Sequence, residues 1–209
     1  MSTRNLLITA LAACLAFAPL VASADDSDAE AKRLSDRSVP RYEVSVPGAS
    51  IKAGGAMVLV NAPIATVRKA VQDYGRYQSM IPRFKKSRVI AKKDGKTDVY
   101  LEVPILHGAA TVWSQTRFDA PVKDGAKGER IEGRLVEGNV EDMRTTFRLR
   151  AVDDTHTILK CELLIVPKLP LPGSMVTPEL AFAADQAVTA LRARAERRAA
   201  GDQGTAKAD

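Results

Sequence analysis

The chain has 209 residues, of which 45% are hydrophobic and 27% are charged, and its formal net charge is +6. This length fits one domain with tails, since compact domains usually hold roughly 100 to 200 residues. The apolar content excludes a chain that is disordered throughout, and disorder is expected only at the ends.

The first 24 residues predict a cleaved export signal. Arg4 supplies a positive charge, residues 6–15 form an apolar stretch too short to cross a bilayer, and residues 22–24 (Ala-Ser-Ala) offer a cleavage point. We therefore expect a secreted or periplasmic protein that begins at Asp25. An alternative stays open, because residues 11–14 (Leu-Ala-Ala-Cys) match the pattern at which bacterial lipoproteins are cut and acylated on the cysteine, here Cys14.

Removal of this segment takes away one arginine and no acid, so the net charge becomes 30 minus 25, or +5. Basic residues gather in two segments, which either contact an anionic membrane surface transiently or form ordinary solvated faces. The two groups are Lys85, Lys86, Arg88, Lys92 and Lys93, and Arg192, Arg194, Arg197 and Arg198. Export disfavours nucleic acid as a partner, and we expect a monomer.

After cleavage Cys161 is the one remaining cysteine, so no intramolecular disulfide is possible. It lies in the apolar run 158–166, where a thiol usually behaves as a small buried hydrophobe. A reactive nucleophile is the alternative.

The polar, charged segment 25–40 predicts a flexible leader, and residues 200–209 predict a disordered tail around a domain at 41–199. Residues 55–61 predict a strand. A helix then begins after Pro63, with the apolar stripe Ile64, Val67, Val71 and Tyr74, and a second short helix covers 76–81.

A series of strands follows Pro82. Alternation of apolar and polar residues predicts them at 99–105, 111–118, 129–136, 143–152 and 157–166, with turns at 124–125, 138–139 and 153–154. Such short turns leave no room for crossover helices, so the sheet is antiparallel.

A proline-rich bend at 167–173 leads into a long helix of about 26 residues. One face of it carries Leu180, Ala184, Ala187, Val188, Leu191 and Ala195. The fold class is therefore α+β: one strand, two short helices, about six antiparallel strands and a long carboxy-terminal helix.

Three segments give this pattern a family resemblance. Residues 60–67 (Val-Asn-Ala-Pro-Ile-Ala-Thr-Val), residues 73–82 with Asp-Tyr-Gly-Arg-Tyr and Met-Ile-Pro, and residues 166–172 (Val-Pro-Lys-Leu-Pro-Leu-Pro) resemble the START-like (SRPBCC, Bet v 1-like) superfamily, in its polyketide cyclase and coenzyme Q-binding branch. The resemblance covers roughly residues 50–198. It implies a helix-grip fold, in which a curved antiparallel sheet of six to seven strands wraps around the terminal helix and leaves a cavity. Members of the superfamily bind lipids, sterols, quinones, polyketides and plant hormones, and a minority are enzymes.

Strand and helix alternation indicates which side chains face this cavity, although ordinary core packing is the alternative for any single position. The candidates are Tyr77 and Met80 near the entrance, then Leu101, Val103, Trp113, Arg117, Met143, Thr145, Phe147, Cys161, Leu163, Met175, Phe182 and Val188. Arg117 shares its parity with Trp113 and Gln115, which favours it as a buried anchor for a ligand head group, with an outward arginine as the alternative.

No metal-binding, phosphate-binding or nucleophile motif occurs in the sequence, so we expect no cofactor. His107 and His156 both fall at turns and are expected to be solvated, and Glu102 and Arg144 lie on the outward parity of their strands. The main hypothesis is a non-enzymatic carrier of a hydrophobic ligand. An enzyme of the cyclase or dehydratase type and an accessory protein that binds a partner through its surface stay open.

Overall fold

The computed structural model describes residues 24–105, 108, 110–169 and 171–206. The helices are α1 (Ala24–Leu34), α2 (Ile64–Val71), α3 (Tyr77–Met80) and α4 (Gly173–Ala206), with a 3₁₀ turn at Tyr74–Arg76. The strands are β1 (Arg41–Val44), β2 (Ala53–Val60), β3 (Lys86–Lys93), β4 (Lys96–Ile105), β5 (Ala110–Phe118), β6 (Val122–Lys123), β7 (Gly128–Gly138), β8 (Val140–Ala151) and β9 (Thr157–Pro167). His107 and all but the last residue of the expected export signal lie outside the described residues.

The strands form one curved antiparallel sheet in the order β1-β2-β9-β8-β7-β5-β4-β3, and β6 pairs with β7. This confirms the antiparallel sheet and the helix-grip architecture expected from the sequence. Three of the nine strands in the described part of the chain, β1, β3 and β6, are additions to the strands predicted from the sequence, and β1 and β6 are short. The β3–β4 hairpin turns at Asp94 and Gly95, which both have positive φ, as a tight two-residue turn requires.

The core lies between the concave face of the sheet and the helices. Val67, Val71 and Tyr74 are at most 3% exposed, so the stripe predicted for the first helix is buried as expected. The predicted apolar face of α4 is buried too, and Ala184, Val188, Leu191 and Ala195 are fully inaccessible to solvent.

The helix α4 packs on β2 and β9, at one side of the sheet. A Cβ atom added at Gly54 would lie 2.0 Å from the backbone nitrogen of Ala181, so helix and strand meet there at backbone distance. Ala56 and Ala184 extend this small-residue contact, and both are fully buried. The close approach fixes the height of α4 above the sheet.

The segment 25–40 is not the flexible leader that its composition predicted. Its first part forms α1, which packs on the outer face of the sheet through Ala31 and Leu34 against Ile158. Glu30 also accepts hydrogen bonds from Arg150 and from Lys160. Composition gave no sign of this, because the stabilising contacts are all with distant strands.

The terminal helix is also longer than expected. α4 has 34 residues and runs to Ala206, so residues 200–206 are helical where a disordered tail was predicted. Ala199 is buried in the main core and Arg198 pairs with Asp73, and these contacts fix the chain just before the predicted tail.

Substitution of Gly54 by alanine tests the helix–sheet contact. The new methyl group would meet the backbone of α4, which has no side-chain freedom to yield, so we expect a loss of about 1–3 kcal/mol in the free energy of unfolding. Urea denaturation followed by circular dichroism measures it. Gly75→Ala is the matched control, because its added Cβ lies 3.8 Å from Val89, an ordinary contact. Equal stability of the two variants would contradict the close approach.

Candidate functional site

An internal cavity lies between the concave face of the sheet and the amino-terminal half of α4. Its walls come from β4, β5, β8, β9 and α4, and from the segment that follows α3. The free space at its centre is about 110 Å³. We define its mouth by four lining residues that solvent reaches, the exposed Pro82 and Arg83 and the half-buried Pro104 and Glu179.

The structure brings eight of the sequence-predicted site residues together around this cavity. They are Tyr77, Leu101, Val103, Met143, Thr145, Phe147, Cys161 and Leu163. Seven of them lie on strands where the period-two alternation is regular, so parity alone places their side chains on one face. That any of them contacts a ligand stays a prediction.

The polar groups on the inner face of β5 are paired within the protein. Ser114 is 1% exposed and Thr116 is fully buried, and their hydroxyl oxygens lie 3.1 Å apart. The Thr116 hydroxyl also lies 3.6 Å from the sulfur of Met143. Because these hydroxyls have partners, they are tolerated in an otherwise apolar wall.

Two titratable groups line the interior. The Tyr77 hydroxyl donates a 2.6 Å hydrogen bond to the carbonyl of Val71, and burial raises the pKa of Tyr77 well above its usual value. Burial likewise raises the pKa of Cys161 to about 12. Cys161 is 2% exposed, which confirms the expected buried thiol, and it is protonated at neutral pH.

Arg117 and Trp113 are not in the cavity, and their predicted inward orientation is wrong. The inward residues of β5 are Val112, Ser114, Thr116 and Phe118, all at most 6% exposed. Two of these positions carry small hydroxyl side chains, so the alternation of apolar and polar residues on β5 is weak. The large apolar side chain of Trp113 then led to the wrong assignment of the inward face.

On the outer face, both residues have other partners. The Arg117 guanidinium donates two 2.7 Å hydrogen bonds to the carboxylate of Asp98. Trp113 stacks on Tyr100 with a ring separation of 6.3 Å. Arg117 therefore serves as one half of a surface ion pair.

Four further predicted residues lie away from the cavity. Val188 is fully buried in the core, and Met80 packs against the same core without reaching the cavity. Met175 is 56% exposed. The ring of Phe182 lies outside the cavity, between the guanidinium groups of Arg41 and Arg83. Helical periodicity identified the face of α4 only to within one residue, which suffices to misplace Phe182.

The outward charges behave as the strand parity predicted. Glu102 pairs with Lys86 at 3.1 Å, and Arg144 pairs with Asp142 at 2.7 Å. His156 is at a turn, where its Nδ1 lies 2.9 Å from the carboxylate of Asp153. In the described part of the chain no group of His, Cys, Asp and Glu side chains is arranged to hold a metal ion.

Sequence reasoning missed the charged residues of the mouth. Arg83 and Glu179 come from separate elements, and the Arg83 Nη1 lies 3.8 Å from the Glu179 Oε2. Arg83 follows Pro82 in a turn, where no periodicity applies. The sequence Ile-Pro-Arg-Phe could have indicated it. A turn with proline in second place favours glycine or asparagine in third place, so an arginine there is unusual.

The site can now be compared with known proteins. A family profile described as "Polyketide cyclase / dehydrase and lipid transport" matches residues 60–192, which is more than half of the chain. The chain belongs to this family. That assignment places it in the START-like superfamily, as the motifs implied, and the family includes both enzymes and lipid carriers. A search of curated protein sequences finds no significant match.

Solved structures of the same superfamily share the fold. A START superfamily protein from Mycobacterium smegmatis is 23% identical, with a TM-score of 0.59 over 68% of this chain and 96% of that one. A STAR-related lipid transfer protein from Xanthomonas axonopodis is 14% identical, with a TM-score of 0.64 over 75% and 93%. The Zhui aromatase/cyclase from a Streptomyces species is 19% identical, with a TM-score of 0.56 over 77% and 96%. At such identities the likeness concerns the fold alone.

The pair of Asp98 and Arg117 predicts a pH-dependent stability. The hydrogen bonds from Arg117 lower the pKa of Asp98, so the pair stabilises the folded state above the unfolded pKa of about 3.9 and the effect is lost as pH falls through the lower folded value. Because Arg117 is half exposed, Arg117→Gln should lower the free energy of unfolding by about 1 kcal/mol or less at neutral pH.

Urea denaturation at neutral pH and at about pH 2 measures this difference, which should be smaller at the lower pH. Arg88→Gln, on the exposed edge strand β3, controls for the loss of a positive charge. A loss of more than about 3 kcal/mol, as when a buried ion pair is broken, would contradict the outer-face location of Arg117.

Proposed function

We propose that the protein is an exported carrier that encloses a hydrophobic small molecule (lipid, sterol, quinone or polyketide-like) between the sheet and α4. The observation that carries the proposal is the apolar cavity, whose only described charged lining residues, Arg83 and Glu179, both lie at the mouth. A ligand that displaces water from such a surface gains about 0.8 kcal/mol for each buried methylene group. A hydrocarbon chain or ring system therefore binds there with few polar contacts.

The size of the cavity limits what it holds in this form. Its free volume of about 110 Å³ is below the roughly 300–1,000 Å³ that is usual for pockets of drug-sized ligands. A lipid-sized molecule therefore requires the walls to move apart. The side chains of Leu101 and Met143 on the sheet are long and apolar, so they can change rotamer as the space fills. For Met143 this costs only the weak contact between its sulfur and the Thr116 hydroxyl.

A cyclase or dehydratase needs a group in the cavity that moves a proton. The described interior offers Tyr77, whose hydroxyl is already bonded to Val71, and Cys161, whose pKa is about 12. Neither acts as a base at neutral pH, which favours the carrier over the enzyme. Turnover of a polyketide-like substrate by the purified protein would reverse that preference.

Contact with an anionic membrane is part of the carrier proposal. The edge strand β3 presents Arg88, Lys92 and Lys93 to solvent, and no ion pair engages them within the described ranges. In the second basic segment, Arg194 and Arg198 pair with Asp73 instead, which leaves β3 as the better contact. Sedimentation with vesicles that contain anionic lipid tests the contact.

We further propose a monomer without nucleic-acid partners, and light scattering gives its mass.

No helix in the described residues combines the length and the hydropathy that a membrane-spanning segment needs. Export rests on the sequence of residues 1–24. Cleavage after Ala24 would leave α1 attached to the sheet through Ala31 and Leu34.

Bound ligand and a blocked cavity test the carrier proposal together. Native mass spectrometry of the purified wild-type protein should show an additional mass that organic extraction removes. Ala183→Phe places a ring into the lining from a half-buried position on α4. We expect this variant to lose the additional mass and to bind a fluorescent fatty acid at least about tenfold more weakly, since several methylene contacts are lost.

Ala200→Phe is the matched control, because Ala200 is exposed at the other end of the same helix. Its binding should equal that of the wild type, and both variants should keep the wild-type far-ultraviolet circular dichroism. A wild-type protein that retains no apolar compound and binds no fluorescent fatty acid or sterol would favour the accessory-protein alternative.

The predicted location is tested by expression in a bacterium that has its own export machinery. The cell fraction that contains the protein and its intact mass are then measured. We expect a periplasmic or secreted protein whose intact mass begins at Asp25. A membrane-bound form with an acyl group on Cys14 would establish the lipoprotein alternative. Full-length protein confined to the cytoplasm would rule out both.

A further inference from the structure

Arg83 has a backbone conformation that its own sequence does not favour. Its φ is +70°, in the left-handed region that residues with a Cβ atom rarely adopt. The amide of Phe84 donates a 3.4 Å hydrogen bond to the carbonyl of Ile81, so residues 81–84 form a turn with proline second and Arg83 third. Glycine or asparagine is the usual third residue of such a turn. Strained positions of this kind gather at functional sites.

The side chain of Arg83 lies at the cavity mouth, where other side chains contact its guanidinium group without forming hydrogen bonds to it. Its guanidinium lies 4.9 Å from the centre of the Phe182 ring, on which Arg41 also lies at 4.8 Å. Its nearest acid is Glu179, at 3.8 Å, which is beyond hydrogen-bond distance. Among the described residues no hydrogen bond engages the guanidinium, whose five N–H groups remain available.

The surroundings of Arg83 specify the chemistry of a partner. The cavity behind it accepts hydrocarbon, and the guanidinium fork fits a planar carboxylate with two parallel hydrogen bonds. Glu179 beside it disfavours a second negative charge, so a carboxylate fits better than a doubly charged phosphate monoester. The ion pair of Arg83 and Glu179 is long and about 40% exposed on both sides, so it is weak and a ligand can replace Glu179.

We propose that Arg83 binds the carboxylate head group of an amphipathic ligand whose hydrocarbon tail occupies the cavity. The inference rests on the proposed carrier function and names the class of its ligand: a fatty-acid-like monocarboxylate. Phe182 positions the guanidinium through its ring face. Recognition then explains why an arginine, and not the favoured glycine or asparagine, lies at this position of the turn.

Binding of lauric acid and of lauryl alcohol at about pH 8 tests the proposal, because the two probes share a tail and differ in the head group. Isothermal titration calorimetry gives both affinities. The wild type should prefer the acid. Arg83→Gln should lower the affinity for the acid at least about tenfold and leave the alcohol unchanged, as expected for the loss of charge-assisted hydrogen bonds. Glu179→Gln should raise the affinity for the acid.

Two further variants serve as controls. Arg33→Gln removes a positive charge from α1, on the outer face of the sheet, and should bind both probes as the wild type does. Arg83→Asn keeps a residue that tolerates the left-handed conformation, so it should melt no lower than the wild type and still lose the preference for the acid.

The outcomes separate this inference from the proposed function. If the wild type binds both probes and Arg83→Gln binds the acid equally well, the role of Arg83 is overturned while the carrier stands. If the wild type binds neither probe, the carrier proposal fails, and the inference fails with it.

Discussion

The contact between Gly54 and Ala181 is the constraint on which the cavity depends. Because the strand has no side chain at this point, α4 approaches β2 to backbone distance at one side of the sheet. The sheet curves away from there, and the helix cannot follow it. The inner faces of β4, β5 and β8 are therefore left facing open space beneath α4. A larger residue at Gly54 would lift the helix and change the height of the whole cavity.

The distribution of charge follows from the same geometry. Side chains on the concave face must be apolar or have partners, because no water reaches most of them. Ser114 and Thr116 meet this condition by bonding each other. The charges of the strands lie on the outer face, where Asp98 with Arg117 is an example. The charged lining residues of the cavity lie at its mouth, on the 81–84 turn and on α4. Among the described residues, the lining of the cavity is therefore charged at the mouth and apolar beyond it.

Regular alternation is what made the fold and seven of the lining residues predictable. Strands β4, β8 and β9 carry large apolar residues on one face, such as Leu101, Phe147 and Leu163, so parity identified the cavity side. On β5 the inward positions include small hydroxyl residues, so the alternation of apolar and polar residues predicted the wrong inward face. The helix α1 and the location of Arg83 depend on contacts between distant segments and on a turn, which no local periodicity encodes.

The helix α4 is anchored to the rest of the fold along its length. Thr177 donates a 3.0 Å hydrogen bond to the carbonyl of Lys52, Ala181 is packed on Gly54, and Arg198 pairs with Asp73. The opposite wall at the mouth, residues 81–84, makes weaker polar contacts with α4 among the described residues: the long ion pair to Glu179 and the cation–π contact of Arg83 with Phe182. The strained residue Arg83 therefore lies on the wall of the mouth that is less firmly bonded to α4.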